Sequence, residues 1–247
     1  MRLEVLAGPR AVARRAAEEI AGVLRRKGRR RIVLASGKTM VAVYAELVRL
    51  HRLGRAPFRR AETFNLDELL LPPDDPRSFR VFMERHLFSR VGLPAGHIHF
   101  LRGDMADLEA ECRRYERELA RARPDITLVG IGDNGHVAYL EPGRSLAPVT
   151  ARVRLSPSTR RGLAAKGLRP PPCEALTMGI ETILSARRIM LAATGPGKAA
   201  AIGRALEGRV TPSCPASFLT LHSSLTVILD RAAAKLLTLP SSRGVSK

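Results

Sequence analysis

Ile32-Val33-Leu34-Ala35-Ser36-Gly37-Lys38-Thr39-Met40 runs from four apolar residues through a polar turn and into VAVYAELVRL. Its centre, Gly37-Lys38-Thr39, has the ending of an ATP-binding P-loop, but that loop needs a glycine five positions before Gly37. Ile32 stands there, inside the apolar run. A chain buried in a strand at that point cannot wrap a triphosphate. What the stretch encodes is strand, short turn, helix. Free N–H groups at such a helix start suit a single phosphate monoester.

Outward from it the same alternation repeats. Strands are expected over 3–6, 31–35, 62–66, 125–131, 151–155, 188–193 and 225–229. Helices are expected over 11–26, 39–53, 77–91, 105–123 and 195–206, with a short one after Asp230. Residues 67–76 and 170–172 read as loops, 1–239 as one domain and 240–247 as a flexible tail. This order specifies an α/β fold: a single-domain, three-layer, Rossmann-like, mostly parallel sheet with helices on both faces. Ligands of such sheets sit beyond the carboxyl ends of the strands. Residues 36–39, 65–68 and 132–141 all fall at such ends, and Lys198 lies at a helix start.

Composition narrows the function classes. The 247 residues are 45% hydrophobic with a mean hydropathy of -0.06, and no apolar run approaches the ~20 residues that span a bilayer. No membrane partner is expected. The start, MRLEVLAGPR, lacks the apolar stretch of a signal peptide, so a cytoplasmic location is expected. Three scattered cysteines, Cys112, Cys173 and Cys214, suggest neither a disulfide framework nor a zinc site. The formal net charge is +19. Because the basic residues are spread through the chain and aromatics are only 4%, no nucleic-acid partner is expected. The positive field would steer a small phosphorylated substrate inward.

Two motifs can carry chemistry. Thr63-Phe64-Asn65-Leu66-Asp67-Glu68 sets two carboxylates just past a strand, where neighbours point opposite ways and only one easily faces a pocket. The other can cap the next segment or pair with an arginine. A carboxylate at that mouth, beside a phosphate-binding turn, can shuttle a proton. Residues 130–143, GIGDNGHVAYLEPG, hold His136 in a glycine-rich loop, with Glu141 placed to fold back on the imidazole. Lys198 follows Gly195-Pro196-Gly197 and is a candidate phosphate ligand. His51, His86, His97, His99 and His222 read as structural or surface residues, and no metal-ligand spacing is present.

Together these segments resemble the glucosamine-6-phosphate deaminase (isomerase) family, kin of the 6-phosphogluconolactonases. The likeness runs through Ser36-Gly37 with Thr39, residues 63–68, Pro76 with Ser78-Phe79, Gly130-Ile131-Gly132, Gly135-His136, Glu141-Pro142-Gly143, Gly195 and Lys198-Ala199. Leu69 after the acidic pair and Glu141-Pro142-Gly143 favour the deaminases. The resemblance implies a cofactor-free conversion of an amino-sugar phosphate to fructose 6-phosphate and ammonium. In it Asp67 carries a proton from C2 to C1. His136, supported by Glu141 and with Asn134 beside it, assists ring opening, and Ser36, Gly37, Thr39 and Lys198 hold the phosphate. Lys38, Glu68 and Gly135 complete the implied substrate-binding set. The implied partner is a small-molecule sugar phosphate, and a homo-oligomer is left open.

The chain departs from the family at several positions. Lys38 stands where a second glycine is common and Met40 where proline is. Asn134 replaces a frequent acid and Leu140 an asparagine. A phosphate-binding arginine aligns with Ala165, with Arg161 and Lys166 nearby, and activator-binding positions of regulated members align with Ala151 and Val153. No such activation is therefore expected. Another sugar-phosphate isomerase, deaminase or lactonase, or a non-catalytic sugar-phosphate sensor, are the alternatives.

Overall fold

Short apolar runs bounded by polar turns become strands, and the amphipathic stretches between them become helices. The computed structural model describes residues 1–121, 123–165 and 167–238. In chain order the elements are β1 (Arg2–Leu6), α1 (Pro9–Leu24), β2 (Arg30–Leu34), α2 (Lys38–Arg52), β3 (Ala61–Asn65), β4 (Asp67–Leu69), α3 (Phe79–His86) and β5 (Ile98–His99). Then come α4 (Leu108–Ala120), β6 (Ile126–Val129), β7 (Ala151–Arg154), α5 (Pro157–Ala165) and β8 (Glu174–Thr177). The remaining elements are α6 (Ile180–Leu184), β9 (Ile189–Ala193), α7 (Ala199–Glu207) and β10 (Leu225–Asp230).

Seven strands form one parallel sheet in the order β1-β10-β9-β6-β2-β3-β5. From β1 to β2, β2 to β3 and β3 to β5 the chain moves one way across it; from β5 to β6, β6 to β9 and β9 to β10 it moves back. Right-handed crossovers therefore put α1, α2 and α3 on one face and α4 and α7 on the other. The contact of α1 with α2, and of Tyr44 in α2 with Phe82 in α3, agrees with that division. Burial on both faces explains why the central strands are almost wholly apolar. At the amino end of β2 the exceptions are Arg30, 3.4 Å from Asp125 Oδ1, and Arg31, whose Nε donates to Glu62 Oε2 at 2.7 Å in a buried ion pair.

A second, antiparallel sheet of three strands, β4-β8-β7, lies outside this layer. Leu69, Tyr139, Leu155, Leu163, Leu168 and Ala175 form its own small core. β4, β5, β8, α5 and α6 are not among the elements expected from sequence, and 67–76, expected as loop throughout, begins with β4. These elements hold two to nine residues, too few for a period to show, and tertiary pairing fixes them. After Asp230 the chain makes hydrogen-bonded turns rather than the expected helix. The expected tail, 240–247, lies outside the described residues, as does Lys166.

Candidate active site

From β2 the chain enters a helix on one face, and from β6 it leaves toward the other. A crevice opens where adjacent strands send their connections apart. On one side is the start of α2. Gly37, at φ 130, makes a turn that a side chain would strain, and no side chain caps the helix. Met40 N donates to Gly37 O at 3.0 Å, and no side chain takes the other N–H groups of this first turn. Ser36, Gly37 and Thr39 are half-buried, and Lys38 is exposed. Thr39 Oγ1 lies 3.4 Å from Thr194 Oγ1, which joins the α2 start to the turn after β9. Met40 is buried, and a Cβ on Gly130 would come 3.4 Å from its methyl group. It therefore packs α2 against the β6 loop.

Leu66 is where the chain passes from the large sheet to the small one. Its N–H donates to Leu34 O of β2, and its carbonyl accepts from Met178 N beyond β8. The two residues after it then diverge. Asp67 is 7% exposed, its Oδ1 has no hydrogen-bond partner among the described residues, and the Ser36 hydroxyl bonds its carboxylate. Burial, reinforced by the Glu68 charge and opposed by Ser36, pushes Asp67 up to about 8. Glu68 goes elsewhere. Its Oε1 accepts from Leu69 N at 2.8 Å and Phe79 N at 2.7 Å, and its Oε2 from Arg80 N at 2.9 Å. The expected substrate-binding Glu68 is thus taken up by the start of α3, the capping alternative. Burial lifts it to about 7, against the pull of those donors.

The loop after β6 brings its own group together. Asn134 Nδ2 donates to Glu141 Oε2 at 2.9 Å, and Asn134 Oδ1 accepts from His136 N at 3.1 Å. His136 Nδ1 lies 3.6 Å from Glu141 Oε2, just beyond hydrogen-bonding distance. Burial works against ionisation of Glu141, yet His136, Thr159 and Asn134 hold its carboxyl down at about 2. A Cβ on Gly132 would fall 2.4 Å from the imidazole Cε1 and 2.5 Å from both ring nitrogens. Only glycine leaves room for the ring. Gly135, at φ 97, turns the loop so that its carbonyl accepts from Ala216 N at 3.0 Å; it packs against Cys214 rather than offering a side chain.

Thr177 and Tyr139 join the two groups. Thr177 is the direct partner of Asp67 across the β4–β8 ladder, and its Oγ1 accepts from Tyr139 N at 3.1 Å. The Tyr139 phenol is driven well above its usual range by burial and then by the charges of Asp67, Glu68 and Glu141, and its ring stacks on Phe79. Neither Thr177 nor Tyr139 was singled out from sequence. A threonine in an apolar four-residue strand has no local signature, and only the ladder shows its place.

Lys198 reaches the same loop from the turn after β9, but its Nζ lies 2.7 Å from Asp133 Oδ1. Asp230 fixes that turn by accepting from Gly195 N. Of the other histidines, His51 Nδ1 contacts Ala56 O, His99 stacks on Phe64, and His222 bridges Ala186 O and Ser224 N. Among the described residues no group of His, Cys, Asp and Glu is placed to hold a metal ion.

The family profile described as glucosamine-6-phosphate isomerases/6-phosphogluconolactonase matches residues 7–228. Glucosamine-6-phosphate deaminase of a Geobacillus species is 39% identical over 240 residues, covering 96% of this chain and 96% of the relative. Glucosamine-6-phosphate deaminase 1 of Giardia intestinalis is 42% identical over 224 residues, covering 89% and 84%. The solved structure of a monomeric glucosamine-6-phosphate deaminase matches with a TM-score of 0.93 and 38% identity over 96% of this chain and 100% of that one. A 6-phosphogluconolactonase from Thermotoga maritima shares the fold with a TM-score of 0.74 at 23% identity, over 93% and 98%. On these likenesses, which span nearly its whole described length, this chain belongs to the family of glucosamine-6-phosphate isomerases and 6-phosphogluconolactonases.

Proposed function

We propose that the protein converts glucosamine 6-phosphate and water to fructose 6-phosphate and ammonium without a cofactor. The observation that carries this is Asp67: a carboxyl pushed up to about 8, with one oxygen unpartnered, bonded by the Ser36 hydroxyl at the start of the α2 turn. A group that titrates near working pH both takes and returns a proton. The names and high coverage of the relatives support the same reading.

The α2 start, with Ser36, Gly37, Thr39 and Lys38, and Lys198 across from it, holds the phosphate and fixes the sugar. His136 moves a proton between the ring oxygen and the C1 hydroxyl as the pyranose opens. Glu141, held by Asn134, stabilises the imidazolium formed on the way. Asp67 then removes the C2 proton and delivers it to C1 through an enolamine, leaving an imine at C2. Water adds to that carbon, the C–N bond breaks, and ammonium leaves a C2 ketone. Positioning of this kind contributes on the order of 7 kcal/mol or more to rate.

A coupled ammonium assay on glucosamine 6-phosphate, other hexosamine phosphates and 6-phosphogluconolactone tests the reading. Ammonium released fastest from glucosamine 6-phosphate is the expected result. Lactone opening with no ammonium from any amino sugar would move the activity to the other branch of the family. Three free cysteines fit a cytoplasmic site of action, and no helix among the described residues is long and apolar enough to cross a membrane. Light scattering decides between a homo-oligomer and a monomer like the solved relative.

A further inference from the structure

Asp133 has no part in the chemistry just described, yet it pairs with Lys198 at the phosphate end of the site. The lysine side chain is 25% exposed and the aspartate 76%, so a loosely held carboxylate covers a largely enclosed ammonium. A Cβ on Gly197 would come within 3.8 Å of Asp133 Oδ1, which places the carboxylate over the glycine turn that feeds α7. That helix has no acidic residue in its first turn and no side-chain cap. The carboxylate therefore stands where an anion is doubly favoured, between an ammonium and an uncapped helix start. It comes from the His136 loop, two strands' connections meeting at one ion pair.

We propose that Asp133 holds the Lys198 ammonium until the phosphate of a substrate takes it over, and so sets how much charge a ligand must carry to enter. This rests on Lys198 being a phosphate ligand of the proposed deaminase. A phosphate monoester carries about −1.5 to −2 near neutral pH and outcompetes a single carboxylate charge. An exposed carboxylate on a flexible side chain is also released at little cost. A sugar acid with one carboxylate gains nothing from the exchange and is turned away. Asp133 is thus a specificity-determining residue rather than a catalytic one.

The test is calorimetric titration of inorganic phosphate into the full chain and its Asp133→Asn and Lys198→Met variants at neutral pH, with gluconate as the singly charged probe. Asp133→Asn is expected to bind phosphate about two- to fivefold tighter and to narrow the gap between phosphate and gluconate. KM for glucosamine 6-phosphate falls by a similar factor, with kcat changing less. Unchanged or weaker phosphate binding in Asp133→Asn, while Lys198→Met loses it, overturns the proposal and leaves the deaminase reading intact. Phosphate bound equally well by Lys198→Met overturns the proposal and removes Lys198 from the phosphate site.

Discussion

At Asp67 the fold holds a carboxyl in a state that costs stability. In the unfolded chain it titrates near 3.8, and in the fold at about 8. Between those values the folded protein keeps a proton that the unfolded chain has released, so this residue makes stability fall as pH rises through the window. Asp67→Asn should remove that penalty. Its unfolding free energy should exceed the parent's by a margin growing from about pH 4 to about pH 8, on the order of a few kcal/mol at the top, read from denaturant unfolding. The same variant should lose turnover by about a thousandfold while keeping phosphate affinity within about twofold. A stability margin that does not change between about pH 5 and about pH 8 would contradict the raised carboxyl. Gly132 makes a second residue-scale prediction. Alanine there collides with the imidazole of His136, so Gly132→Ala should cut kcat by about a hundredfold or more with circular dichroism unchanged. An open-chain substrate analogue should recover part of the loss, and equal loss on both substrates would count against the ring-opening role.

Among the elements, α3 shows how a motif residue can serve structure. Its first turn is held by Ser78, whose Oγ accepts from Val81 N, and by the Glu68 carboxylate, which accepts from three backbone N–H groups. Glu68→Ala takes the carboxylate from all three donors, of which Leu69 N is buried, and should destabilise the protein by about 1–3 kcal/mol, read from denaturant unfolding. KM should move little in the folded fraction; a large KM change with unaltered stability would return Glu68 to the substrate. In sequence Asp67 and Glu68 are equivalent carboxylates past a strand. The strand period says that they part company, but which of them meets the ligand depends on the crossing at Leu66 and on where α3 begins. By contrast β2, α2, β6 and β9 were legible to within a residue or two, since burial on both faces writes an apolar run into each strand. The helix expected over 77–91 breaks after His86 into a separate turn, Phe88–Arg90, and the one expected over 105–123 is shorter at both ends.

For the whole molecule, the net charge of +19 acts as a field more than as a set of contacts. Many arginines are already engaged with carboxylates, as at Glu4, Glu19, Glu62 and Glu111. The remaining excess should steer an anionic substrate. kcat/KM for a sugar phosphate is expected to fall several-fold between about 0.02 M and about 0.5 M salt, with kcat within about twofold. A kcat/KM independent of salt would show that the excess charge does not reach the crevice. The active-site crevice itself is a property of this scale, since it exists because the order β9-β6-β2-β3 reverses direction between β6 and β2.

The alternation of strands and helices, the two chemically loaded loops and the family to which they belong are all legible in the amino-acid order. Those depend on periods and spacings within a few residues, where local backbone physics and burial leave a direct imprint. It takes the folded chain to set Thr177 opposite Asp67, to turn Glu68 onto the start of α3, to pack Met40 beside Gly130 and to close Asp133 on Lys198. Each of these joins segments held together by sheet order rather than by neighbourhood along the chain. Short-range preference is silent about such pairs, because their energy appears only once both partners have been brought to the same crevice.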